Sequence, residues 1–107
     1  MSDYIEVFIT IDSRKGALKL ADVLLKDKAA ACVQVGGPVK SFYWWKGKRE
    51  KKSEWTLTLK TRAGLLAMIE RSVRKNHPYE VPEIISKEIA GTADYLEWIN
   101  NITGDKR

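Results

Sequence analysis

Apolar and polar residues change period several times along this chain, and each change marks an element. Ile5, Val7, Ile9 and Ile11 alternate with Glu6, Phe8 and Thr10, the period of a β-strand with one strongly apolar face. Phe8 predicts that the other face is partly covered too. Asp12 or Ser13 can then cap a helix by accepting a bond from a free backbone N–H. Ala17, Leu20, Ala21, Leu24 and Leu25 recur at helical spacing, as on a helix lying against a sheet. Ala31, Val33 and Val35 lead into Gly36-Gly37-Pro38, and Val39 to Trp45 resumes as a β-branched and aromatic run. This reads as one long strand kinked at the glycines, because Pro38 has no N–H to give a central ladder. Lys46-Gly47-Lys48 turns the chain. In the strand that follows, Trp55, Leu57 and Leu59 alternate with Thr56, Thr58 and Lys60.

A second helix is predicted from Ala63 to Lys75, with Leu65, Met68, Ile69 and Val73 on its buried stripe. Arg74 and Lys75 sit where cations complement the helix dipole. Pro78 and Pro82 bracket a short extended segment, since each disfavours helix in the residue before it. Val81 to Ile89 reads as the last strand. Thr92 or Asp94 opens a final helix with Tyr95, Trp98, Ile99 and Ile102 on one face, and a polar tail follows Thr103. The order is βαββαβ plus a C-terminal helix, an α+β chain. It predicts an antiparallel four-stranded sheet with both main helices on one face, the ferredoxin-like arrangement. The whole of 1–107 reads as a single domain.

That arrangement leaves one sheet face without helices, yet the long hairpin places Phe42, Tyr43, Trp44, Trp45 and Trp55 along both of its faces. Large apolar surface opposite a helix layer marks an interface, and a hairpin reaching past its sheet offers an unpaired edge. These five aromatics are the candidate residues for self-association. An apolar fraction of 44% with four Trp, four Tyr and two Phe supports a packed globule. The net charge of +5 admits nucleic acid, an acidic membrane face or an anionic ligand without selecting any of them. Cys32 is the one cysteine, so no disulfide forms within the chain. With no signal-like segment and no long apolar run, the cytoplasm is the expected compartment and no membrane association is expected.

Candidate chemistry is sparse. Cys32 sits among Ala29, Ala30, Ala31 and Val33 and reads as a small buried hydrophobe rather than a nucleophile. His77, the one histidine, with Glu80 and Glu83 could offer a weak nitrogen–oxygen metal site completed by another subunit. Gly36-Gly37-Pro38 lacks the Lys-Ser/Thr of a phosphate loop. Lys46, Lys48, Arg49, Lys51 and Lys52 crowd the hairpin turn beside Trp44 and Trp45. The third strand, however, lacks the aromatic core of an RNA-recognition motif, so nucleic-acid binding is not expected. No acid–base pair or nucleophile stands out, and no enzyme is predicted.

Several segments together resemble the CutA family. Ala30-Ala31-Cys32-Val33-Gln34 is similar to its Ala-Ala-Cys-Val-Asn strand. Ser41-Phe42-Tyr43-Trp44-Trp45-Lys46-Gly47-Lys48 is similar to its Ser-x-Tyr-x-Trp-x-Gly-Lys hairpin. Leu59-Lys60-Thr61 matches its third-strand ending. The run His77-Pro78-Tyr79-Glu80-Val81-Pro82-Glu83-Ile84 matches its most distinctive stretch, and Asp94-Tyr95-Leu96-Glu97-Trp98 its closing helix. The likeness spans Val7 to Ile102. It implies a ferredoxin-like homotrimer whose long hairpins pair across subunits, similar to the PII-type signalling proteins, with clefts between subunits. It also implies a link to tolerance of copper and other divalent ions. Two of the three ligand positions of the family's proposed copper site differ here, where Ile9, Asn76 and His77 stand. The expected function is therefore a trimer that binds a metal ion or small anionic ligand in intersubunit clefts, with no obligatory cofactor and copper bound weakly. His77 and Glu83 are the metal candidates, and Lys60, Tyr79 and Glu80 the cleft candidates. The competing expectation is a structural trimer whose basic hairpin tip, Lys46 to Lys52, binds another protein.

Overall fold

The computed structural model describes residues 3–104; the tail beyond Gly104 lies outside the described residues. β1 (Tyr4–Ile11) is followed by α1 (Arg14–Lys26), β2 (Cys32–Trp45), β3 (Lys48–Arg62), α2 (Leu66–Asn76), β4 (Ile84–Glu88) and α3 (Ala93–Thr103). The four strands form one antiparallel sheet in the order β2-β3-β1-β4, the expected ferredoxin-like topology. Ser13 caps α1, its Oγ accepting from the Gly16 N–H at 3.0 Å. The second helix begins three residues later than expected in α form, because Ala63–Leu65 is a tighter 3₁₀ turn. The last strand is shorter than expected. Val81, Pro82 and Glu83 stay outside it, and only Ile84–Glu88 pairs with β1. Pro82 has no N–H to give a ladder.

Period two settles which face each side chain joins. Ile5, Val7, Ile9 and Ile11 lie opposite Thr61, Leu59, Leu57 and Trp55 and pack under the helices. Leu20 and Leu24 from α1 and Ile69 and Val73 from α2 close this core, all fully buried. Trp55 therefore packs against the chain's own core. On the open face, Glu6, Phe8 and Thr10 align with Lys60, Thr58 and Thr56. Cys32 lies on this open face too, directly opposite Lys60 and half-buried, a correction to its reading as a core residue.

Pairing of β2 with β3 shifts between Gly36 and Val39, the expected bulge. Gly37 adopts φ +126°, which an L-residue rarely reaches. Beyond the shift the two strands continue as a free arm to the Lys46-Gly47 turn. Both turn residues have positive φ, as the right-handed twist of a tight hairpin demands. The arm draws the molecule out to 47 Å, against 25 and 21 Å in the other directions.

Candidate functional site

Where the arm leaves the body, the segment between α2 and β4 folds back along it. His77 anchors this loop with both ring nitrogens. Its Nδ1 accepts the Tyr79 backbone N–H at 3.1 Å, so the proton resides on Nε2, which donates to the Thr10 carbonyl at 2.6 Å. The ring also meets that of Tyr79 edge-on at 4.6 Å. A metal ion needs a nitrogen lone pair, and in this geometry the Nδ1 pair is engaged by the backbone. The structure thus gives His77 the work of fixing the loop.

Tyr79, so placed, reaches into the arm. Its hydroxyl donates to Glu54 Oε2 at 2.7 Å, and Lys52 Nζ lies 4.7 Å from its ring centre. Burial, then the bond to Glu54 and that carboxylate's charge, hold the phenol well above its ordinary range, so it stays a donor. Further out, Lys46 and Glu80 form an exposed ion pair at 3.7 Å. Such a pair contributes little to stability. Loop and arm together wall a cleft of about 720 Å³, floored on one side by Thr10.

The cleft sorts the candidate residues. Tyr79, Glu80 and Glu83 line it, as do Tyr43 and Trp45, and Phe42 borders it. His77 supports it through Tyr79 without lining it. Lys60 is elsewhere: it lies on the open sheet face, 3.1 Å from Glu6 and 3.0 Å from Gln34. Trp44 projects from the other face of the arm, 71% exposed. Sequence reasoning missed Glu50 and Glu54, which line the cleft from β3, and Lys52, expected only in the basic tip, lines it with them. No local signal points to Glu54, which ends the polar run Lys48 to Ser53 and yet is only 5% exposed. Buried carboxylates require a partner.

Charge in the cleft runs against charge in the chain. Glu50, Glu54, Glu80 and Glu83 face one lining cation, Lys52, in a protein of net +5. Walls of one sign focus the field and concentrate counter-ions of the other. Among the described residues, no three His, Cys, Asp or Glu side chains converge closely enough to hold a metal ion within one chain. Among them, too, no helix is long and apolar enough to cross a membrane.

Residues 5–102 match the family model of the CutA1 divalent ion tolerance protein. The chloroplastic protein CutA of Arabidopsis thaliana is 42% identical over 92% of this chain, which spans 55% of that relative's length. The divalent-cation tolerance protein CutA of Archaeoglobus fulgidus is 38% identical over 88% of this chain and 92% of its own. The crystal structure of CutA1 from Oryza sativa superposes with a TM-score of 0.93 at 37% identity, covering 98% of this chain and 97% of that one. Relatives carry chloroplastic and periplasmic names, so their compartments differ. The family description and the Archaeoglobus fulgidus name refer to tolerance of divalent ions. Fold, motif order and relatives agree that the chain belongs to the CutA1 divalent ion tolerance family.

Proposed function

We propose that this protein is a cytoplasmic homotrimer, serves tolerance of divalent ions, copper among them, and gathers those ions in the cleft between the arm and the loop 77–83. One observation carries the reading: four carboxylates line a cleft in a basic chain. That lining attracts cations and repels anions, so a divalent ion is favoured over the small anionic ligand that composition allowed. Carboxylate and phenol oxygens hold divalent ions best when several converge. One chain's cleft does not supply three convergent ligands, and a second copy seated on the arm would complete the set. Assembly has its own support in the unpaired outer edge of β2, and in Phe8 and Ile85 on the open sheet face. Glu83 is the metal candidate that lines the cleft, while His77 acts by holding Tyr79.

Sedimentation equilibrium with and without copper tests the assembly, and calorimetric titration with a copper salt tests the cleft. A trimer mass independent of copper is expected. Glu50→Gln/Glu83→Gln should weaken copper binding at least about ten-fold, as loss of charged ligands does, with the trimer intact. A monomer mass would remove the assembly, and an unchanged titration would remove the cleft.

A further inference from the structure

Charge is not spread evenly over the elements. Arg14, Lys15, Lys19 and Lys26 on α1 and Arg71, Arg74 and Lys75 on α2 stand against Asp22 and Glu70. Seven cations over two carboxylates leave a surplus of five, equal to the net charge of the whole chain. The rest of the chain carries as many cations as carboxylates. All of these helical charges are exposed. Lys15, Lys19 and Lys26 fall on one side of α1, opposite Ala17, Leu20 and Leu24, which are buried in the core. Arg71, Arg74 and Lys75 share the side of α2 opposite the buried Ile69 and Val73. Glu70 pairs with Arg74 at 3.1 Å across one turn. The two helices touch, so the rows run side by side, about 10 Å apart.

Leu18 and Leu25 interrupt the polar surface of α1 at 43% and 49% exposure, two helical turns apart and so on one flank of the lysine row. Contacts between copies are proposed for the open sheet face and the arm, and assembly through them leaves the helix layer outward. A protein interface keeps its charges at the rim, whereas here lysines form the ridge and leucines the flank. A nucleic-acid duplex would engage the cations and leave the leucines in water. A membrane with anionic headgroups uses both, the headgroups meeting the lysines while the leucines enter the boundary beneath them. From this distribution we infer that the helix layer α1–α2 docks on an anionic lipid surface. Such a contact needs no spanning segment, so the lack of a long apolar run in the sequence does not bear on it. The inference rests on the proposed function only for its compartment, because the cytoplasmic leaflet is the anionic one.

Co-sedimentation of the full chain with vesicles tests it, using phosphatidylcholine alone and phosphatidylcholine containing about a third phosphatidylserine. Binding is expected to the second alone and should weaken steeply as salt rises. Lys15→Gln/Lys19→Gln/Lys26→Gln should weaken it about a hundred-fold, roughly five-fold per lysine. Leu18→Gln/Leu25→Gln should weaken it about five-fold per leucine. Lys46→Gln/Lys48→Gln/Arg49→Gln removes equal charge at the arm tip of a 47 Å molecule. Charge there acts over only about 10 Å in ordinary salt, so this variant should stay within about two-fold of the parent. Far-ultraviolet dichroism of each variant should match the parent, and the lysine variant decides the matter if the leucine variant unfolds. No binding, equal binding to both vesicles, or an equal loss from the arm variant overturns the inference. So does a folded leucine variant that binds as the parent does while a random-sequence DNA duplex displaces the vesicles, since the face then reads phosphate backbone. Copper titration of both helix variants should match the parent, so failure of the lipid face leaves the cleft standing, and failure of the cleft leaves the lipid face standing.

Discussion

The body and the arm are made by the same two strands, and they obey different rules. In the body, β3 presents Leu57, Leu59 and Thr61 to the helices, and each is fully buried. Past the shift at Gly36–Val39, residues just as apolar stand in solvent: Phe42 at 72% and Trp44 at 71%. Residue type does not separate the two regions, because both are rich in rings and branched chains. What separates them is a second layer, which α1 and α2 supply to one and no helix or strand among the described residues supplies to the other. A two-stranded ribbon alone is marginally stable in water. The arm therefore gains its order from the body at its base, from the loop that Tyr79 ties to it, and from whatever binds it.

The contrast breaks most visibly in the body. Leu59→Ala opens a cavity in the core beside Val7, its partner across the strands, and should cost about 2–5 kcal/mol by denaturant unfolding. At the joint, Gly37→Ala forces a side chain into φ +126°. Its Cβ would meet the Glu54 carbonyl oxygen at 3.0 Å and the Trp55 Cα at 3.1 Å, both backbone atoms that cannot swing aside. A loss of about 1–3 kcal/mol is expected. The near-ultraviolet signal of the tryptophans should change as the arm re-aims. If unfolding and that signal are both unmoved, the joint is not what sets the arm's direction.

How far the sequence revealed this contrast depended on whether a face could be phased. β1 was legible because Glu6 and Thr10 punctuate the isoleucines, and all four core positions fell where alternation put them. Ala31, Cys32 and Val33 offer no polar punctuation, so the face taken by Cys32 was set by pairing with Lys60, which no local pattern encodes. The last strand reads longer in the sequence than it is because Val81 is apolar, although it is 62% exposed and outside the ladder. For the cleft, the rigid run from Tyr79 to Glu83 was visible. Glu54 is 25 residues away along the chain, and only the fold brings it to the Tyr79 hydroxyl.

That contact offers a finer test of how the body holds the arm. Tyr79→Phe removes the donor to a nearly buried carboxylate and should cost about 1–2 kcal/mol. Its pH dependence has a definite sign. Burial and then Glu54 raise the phenol above its ordinary value of about 10, so the folded protein favours the protonated form. The contribution is complete below pH 10 and declines as pH rises beyond it. The stability gap between the parent and Tyr79→Phe should hold steady through neutral pH and narrow only in alkali. A gap that narrows on acidification would assign the effect to another group.

The smallest effect should come from the most apolar change on the arm. Phe42→Ala removes a large ring, yet that ring is 72% exposed and touches little beyond the Lys51 ammonium 5.9 Å from its centre. Exposed substitutions of this kind stay within about 0.5 kcal/mol. Unfolding in denaturant should barely register it, beside the several kilocalories expected for Leu59→Ala. A loss above about 1 kcal/mol that grows with protein concentration would show that a neighbouring copy supplies the missing layer over this face. A loss independent of concentration would mean the arm has a core of its own, and the division between body and arm would fail. No change at all leaves Phe42 as a side chain kept for what it binds, because folding gives no reason to display it.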